Sequence, residues 1–254
     1  MADATSAVSA TPAAAEDNKN GNNNIKKRIP WNIETPTPAD VPAIVDVQWN
    51  AWTSERMQSL FPHTESARVY SERDHLLNVT GQPKRPRPDG EPYKPEPETT
   101  IRVVRDASSG KVVAFGLWRH MRPGDDWGWQ ACWSGFDDIP DIHEDVVEGI
   151  FGPSRRVQRL LMDGKEHLML EALATLDTHR ARGIGTALVQ WGNAYADARG
   201  LPSFLLASPL GKAVYEKVGF AVRDVSHLTD EKPFSVPMVR PGKGEEGEEA
   251  KVVV

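Results

Sequence analysis

The sequence predicts a mixed α/β domain whose sheet is partly antiparallel, and three observations carry that prediction. Two period-two runs, Thr100–Asp106 and Lys111–Trp118, flank the turn Ser108-Ser109-Gly110 and read as an antiparallel hairpin. An apolar run, His167–Leu176, has the length of a central strand and feeds through a glycine-bearing turn into an amphipathic stretch, Thr186–Arg199. The elements follow one another as helices, hairpin, strand, helix, strand, helix, strand, which is the order of a sandwiched sheet rather than a bundle.

Taken from the N-terminus, residues 1–28 are poor in large apolar side chains and contain the run Asn22-Asn23-Asn24, so a disordered tail is expected. A helix is expected over Asp40–Thr53, where Val41, Ile44, Val45, Gln48 and Trp52 share a face and Thr37 or Asp40 can cap it. A second helix falls around residues 65–78. Residues 81–98 hold six prolines among alternating charges and form a loop. After the hairpin, Trp127, Trp129 and Trp133 cluster in an irregular stretch, residues 119–165, with helical pieces near 143–151 and 153–162 separated by Gly152-Pro153. On the helix at 186–199, Leu188, Trp191 and Tyr195 continue a stripe begun by Ile184, and Gly200 ends it. Phe204–Ala207 is a strand, Leu210–Lys217 a short helix stopped by Gly219, and Ala221–Ser226 a last strand. The acidic stretch that closes the chain, from residue 241, reads as a second disordered tail.

Composition narrows the function. Of 254 residues, 39% are hydrophobic and 26% charged, as suits a soluble globular chain. No run has the length of a membrane span, and residues 1–24 lack the apolar block of a signal peptide, so the expected compartment is the cytosol or nucleus. The single cysteine, Cys132, rules out an intrachain disulfide and reads as a small packed side chain. The net charge of −6 argues against a nucleic-acid partner and leans toward a cationic ligand such as an amine. No His/Cys cluster has metal-ligand spacing.

The informative segment is Arg180-Ala181-Arg182-Gly183-Ile184-Gly185-Thr186. The first turn of a helix has amides with no partner inside the helix, and glycine lets an anion approach them closely. Arg180 and Arg182 add positive charge. The segment is either an anion site or an ordinary tight turn. It matches neither a dinucleotide fingerprint, since position 188 is Leu188, nor a Walker A loop, since no lysine follows Gly185.

Further on, Ser208–Phe220 reads SPLGKAVYEKVGF. Together the two segments resemble the GNAT superfamily of acyl-CoA-dependent N-acyltransferases, whose members carry a glycine-containing pyrophosphate turn after the fourth strand and a later helix bearing Tyr and followed by Gly-Phe, here Tyr215 and Gly219-Phe220. Many members have Pro where this chain has Asp177. The resemblance implies a GNAT fold over residues 29–240, with the loop 81–98 and an insertion at 119–165. Its mixed, mostly antiparallel sheet would be flanked by helices and splayed between strands 4 and 5. It implies acetyl-CoA, or another acyl-CoA, as co-substrate. Backbone groups of Leu173, Ala174 and Thr175 would pair with pantetheine, residues 180–186 would hold the diphosphate, and Ser208 would contact the cofactor. The reaction implied is acetyl transfer to a primary amine of a small molecule. A protein or peptide acetyltransferase working with a partner, or a non-catalytic acyl-CoA-binding module, is the alternative. Monomer and homodimer both remain open.

For the chemistry, Glu171 is the only ionisable side chain in the apolar run 168–176 and is the candidate base. Strand alternation places 169, 171, 173 and 175 on one face, and an apolar setting is expected to raise the carboxyl pKa. The other reading is an ion pair with an arginine. Tyr215 matches the family tyrosine near the thioester sulfur and is the candidate acid, or else a core aromatic. The family's oxyanion donor, a fourth-strand amide, falls near Ala174. His167 and His179 read as structural. Trp49, Trp52, Phe61, Trp127, Trp129 and Trp133 are candidates for the wall of an acceptor pocket, and Asp137, Asp138, Asp141, Glu144 and Asp145 form an acidic run.

Overall fold

Alternation and turn chemistry produce seven strands among the described residues: Ile33–Glu34 (β1), Glu98–Arg105 (β2), Val112–Met121 (β3), His167–Thr175 (β4), Ser203–Ala207 (β5), Ala221–Val222 (β6) and Val236–Arg240 (β7). They form one sheet in the order β1-β2-β3-β4-β5-β7-β6, in which only β4 and β5 run parallel. This computed structural model describes residues 31–84, 96–133, 135, 139–162, 164–230, 233 and 235–243. The expected tail at 1–28, most of the one at 241–254 and the heart of the proline-rich loop lie outside the described residues.

Among the described residues six helices cover the two faces: Val41–Ala51 (α1), Glu55–Leu60 (α2), Glu65–Thr80 (α3), Glu144–Met162 (α4), Ile184–Asp197 (α5) and Lys212–Glu216 (α6). α1 follows a single 3-10 turn in which the Asp40 carboxylate accepts from the Thr37 amide (2.8 Å) and hydroxyl (3.0 Å), so the two expected caps cap each other. Its Ile44 and Val47 bury against Ile101, Phe115, Leu117, Ala172 and Ala174 on one side of the sheet. On the other side, Ile184, Leu188 and Val189 of α5 pack with Leu168, Leu170, Trp118 and Leu205.

Three expectations are corrected. The helical pieces at 143–151 and 153–162 are one helix, α4, with Pro153 inside it. Proline removes one helical hydrogen bond there, but Val147, Ile150, Ser154, Val157 and Gln158 still present one buried face across the break. Second, the stripe expected on α5 is rotated. Ile184 and Leu188 are buried, yet the face continues through Gly192 and Ala196, while Trp191 and Tyr195 sit half-buried beside it. Gly192 is required by a close approach, because a Cβ there would lie 2.3 Å from Trp118 Nε1. Gly192→Ala is expected to cost about 1–3 kcal/mol of stability by overpacking, read as a lowered Tm.

Third, the last strand is not Ala221–Ser226. β6 stops at Val222, and β7 inserts between it and β5. Pro237 in β7 argues against an interior strand, but its carbonyl accepts from the Arg223 amide (2.9 Å). Its nitrogen therefore faces Arg223 on the β6 side, so the pairing with β5 is kept and the reciprocal bond to the Arg223 carbonyl is lost, at the point where β6 ends.

Candidate functional site

The site begins with an irregularity in β4. Across from β3, Leu117 pairs with Ala172 but Trp118 with Leu170, so Glu171 is the extra residue of a β-bulge. The bulge has two consequences. It reverses the alternation: Leu168 and Leu170 face α5 before it and Leu173 does so after it, while Ala172 and Ala174 face α1. The expected shared face of 169, 171, 173 and 175 is thereby corrected. It also bends β4 away from β5. The parallel pairing holds only for Leu168–Ser203, Met169–Phe204 and Leu170–Leu205, after which β4 continues with β3 alone and β5 with β7 alone. A gap opens past Leu170.

The polarity of that gap follows from the ladder. The Leu176 amide donates to the Val113 carbonyl at 2.9 Å. Backbone groups alternate along an antiparallel strand, so those of Ala174 and Ala172 also face β3, and those of Leu173 and Thr175 face the gap. Consistent with this, the Thr175 carbonyl accepts from Arg180 Nε at 3.3 Å. Of the three residues expected to pair with a ligand, Leu173 presents a free edge, and Thr175 faces the gap with its carbonyl held by Arg180. Ala174 does not, and its amide, expected to serve an oxyanion, is occupied by β3.

The gap runs into the mouth of α5. Gly183 is the N-cap residue with φ 82°, a left-handed conformation that glycine adopts without penalty. Ala181, at φ 59°, is the one non-glycine residue with positive φ among the described residues. The first helical bond is Ala187 N–H to Gly183 C=O (2.9 Å), and the amides of residues 181–186 find no acceptor among the described residues. A Cβ on Gly183 would meet nothing within 4 Å. The Arg182 guanidinium donates to the Thr178 carbonyl (2.7 Å). Arg180, Ala181, Arg182 and Gly183 are exposed, Ile184 is buried, and Gly185 and Thr186 are half-buried. A row of unbonded amides at a positive helix end, with guanidiniums beside it, fits a diphosphate.

Tyr215 and Ser208 flank the β5 side. Tyr215 packs in the same apolar cluster as Ala207, Leu188 and Phe220, with Leu173 against it. Burial pushes its phenol up to about 12, and its hydroxyl meets no acceptor among the described residues. Ser208 Oγ accepts from the Gly211 amide at 3.1 Å and so caps the turn into α6, leaving its hydroxyl proton to donate.

Glu171 departs from expectation. Its carboxylate is buried, pairs with Arg119 Nε and lies 3.8 Å from Arg155 Nη2. Burial alone raises a carboxyl pKa, but Arg119 and Arg155, with Lys84 behind them, outweigh it and hold Glu171 at about 2. The expected raised pKa is corrected, and the other reading, an ion pair with an arginine, is the one this geometry favours; a carboxylate held this low is a weak base for an amine. Sequence reasoning missed the partners. Arg119 also bonds Thr99 Oγ1, and Lys84 binds Asp74 (2.5 Å) and the Cys132 carbonyl (2.6 Å) with its side chain only 3% exposed. Cys132 is buried, as expected, and burial pushes its thiol pKa up.

The remaining candidates divide. Phe61 and Trp133, with Leu60, Tyr70, Ile142 and Phe151, line a small apolar cleft between α2, α3 and α4. Trp129 and Trp52 pack behind it. Trp49 instead stacks on His63, and Trp127 packs with Met121 and Met169 against His167. Asp141 bonds Thr64 and Ser66 at the start of α3, and Glu144 and Asp145 occupy the first turn of α4, so these acids serve helix ends. Asp137 and Asp138 lie outside the described residues. His167 is buried, bonded to Gln158 and the Lys165 carbonyl, and burial lowers it to about 4.

Comparison with known proteins agrees with this geometry. Among solved structures, the chain resembles a mosquito arylalkylamine N-acetyltransferase like 5b at 14% identity, covering 84% of this chain and 100% of that one, with TM-score 0.53. It resembles arylalkylamine N-acetyltransferase 2 of Aedes aegypti at 11% identity, covering 83% and 98%, also with TM-score 0.53. A PaiA N-acetyltransferase of Thermoplasma acidophilum, crystallised with coenzyme A, matches at 10% identity over 84% and 99%, with TM-score 0.48. No curated protein matches the sequence. The family model described as acetyltransferase (GNAT) family matches residues 67–220, which span the gap, the α5 mouth and Tyr215. The chain belongs to the GNAT acetyltransferase family, whose acyl donor is acetyl-CoA.

Proposed function

We propose that the protein moves an acetyl group from acetyl-CoA to the primary amine of a small, partly apolar molecule, and that residues 29–240 form the catalytic domain. The observation that carries this reading is the continuity of the gap with the α5 mouth. The gap-facing backbone of Leu173 and Thr175 leads to the unbonded amides of 181–186. The pantetheine arm pairs with that edge as an added strand, and the diphosphate sits on the amides.

The amine nitrogen attacks the thioester carbonyl carbon. The carbonyl oxygen takes up negative charge, which the Leu173 amide stabilises in place of Ala174. The carbon–sulfur bond then breaks. Tyr215, still protonated at any ordinary pH, donates a hydrogen bond to the departing thiolate; its high pKa suits a donor that keeps its proton. The amine enters uncharged and loses its extra proton to solvent.

A panel of amines and peptides with acetyl-CoA, read by free-thiol release, checks the reading. Turnover on small apolar amines is expected; turnover on peptides alone, or none on any acceptor despite tight coenzyme A binding, overturns it. Tyr215→Phe is expected to lower kcat about tenfold or more while leaving the Kd for coenzyme A within twofold. An unchanged kcat removes Tyr215 from the mechanism.

A further inference from the structure

We propose that Trp31 is a positioning residue for the acyl donor: by holding the Arg182 carbonyl, its indole aims the Gly183 amide at the donor's diphosphate. The inference rests on the reading above, that the α5 mouth takes that diphosphate.

Trp31 Nε1 donates to the Arg182 carbonyl at 3.2 Å, across 151 residues of sequence. In a planar trans peptide the carbonyl and the following N–H point in opposite directions. Fixing the Arg182 oxygen toward Trp31 therefore points the Gly183 N–H away from it, on the side left open at the helix mouth. The constraint matters because this peptide precedes a left-handed glycine, at φ 82°. Glycine accepts either sign of φ, so the peptide plane before it has little internal resistance to turning over. A turned plane would present a carbonyl lone pair to the anion in place of a proton, converting one attraction into a repulsion.

The tether has a rigid base. Trp31 lies just before β1, whose Ile33 and Glu34 pair with Val104 and Val103, and its ring packs against the apolar cluster under α5. Two other bonds hold the same turn from outside. The Asp177 amide donates to Asn50 Oδ1 (2.9 Å), and His179 Nε2 lies 3.5 Å from Asp106 Oδ2. Those two fix the start of the turn. Trp31 acts at its end, on the carbonyl bonded to the anion-facing amide.

Trp31→Phe keeps an aromatic ring in the cluster and removes the N–H. The Kd values of coenzyme A and of pantetheine, which lacks the diphosphate, are measured by titration calorimetry for wild type and variant. Wild type is expected to bind coenzyme A far more tightly than pantetheine. Trp31→Phe is expected to weaken coenzyme A about five- to tenfold and to leave pantetheine unchanged. A reversibly unfolded fraction would weaken both ligands by the same factor, so lost stability cannot imitate a loss confined to coenzyme A. An unaltered Kd for coenzyme A, or an equal loss for both ligands, overturns the role of Trp31 alone. Equal wild-type affinity for the two ligands overturns the diphosphate reading, and this inference with it.

Discussion

Gly183→Val is expected to weaken coenzyme A binding about a hundredfold while the protein still folds. Two observations separate affinity from folding here. A side chain at residue 183 would meet nothing within 4 Å, so the core is not obstructed. The backbone, however, stands at φ 82° and ψ 4°, where a β-branched residue is strained by about 1–3 kcal/mol. The cheapest escape is a change of φ, and residue 183 is the hinge between the Arg182 peptide and the first turn of α5. Relieving the strain turns the amides of 183–185 off their common target. Each charge-assisted bond lost to the diphosphate costs about 1.5–3 kcal/mol, and two of them account for the hundredfold loss. Tm should fall by only a few degrees. Titration calorimetry and a melting curve check both parts. Undiminished affinity would make the turn a connection and nothing more.

The turn was legible because its chemistry is local: glycines, flanking arginines and a following amphipathic helix lie within one short stretch. β2, β3, β4 and α5 were legible for the same reason, since period and end signals are carried in sequence neighbours. What was not legible is what depends on pairing across the fold. The bulge at Glu171 exists only relative to Leu117 and Trp118 of β3, and nothing in the run HLMLEALAT marks it. Without it the strand alternates simply, and Ala174 is assigned the edge that belongs to Leu173 and Thr175. Pro153 misled because proline's cost is local while the compensation, a shared buried face in α4, is tertiary. Trp31 gave no signal at all, because its partner lies 151 residues further along the chain.

Glu171 shows the same separation between pattern and environment, and it supports the second large effect. Arg119→Met is expected to remove about 3–5 kcal/mol of stability, a drop in Tm of about 10 °C. The loss exceeds that of an exposed pair because Arg119 and Glu171 are 2% and 4% exposed in their side chains, and truncating one leaves the other charged and unpaired in the interior. Arg155, 3.8 Å away, is too distant to replace the lost bonds. Removing both charges, as Arg119→Met with Glu171→Leu, is expected to recover most of the loss, since neither charge is then left alone beside the Lys84–Asp74 pair. Acid gives an independent reading. Glu171 is held at about 2 against 4.5 for a free glutamate, so its folded pKa is depressed. The stability from this pairing is complete above pH 4.5 and drains away as pH falls toward 2, amounting to about 3 kcal/mol. Glu171→Gln should lower stability at neutral pH and flatten the pH dependence across that window. Chemical denaturation at a series of pH values measures both. If Arg119→Met is as stable as wild type, and Glu171→Gln folds normally but loses turnover together with the acid limb of its kcat/KM profile, then the carboxylate is reached by the acceptor and acts as the base.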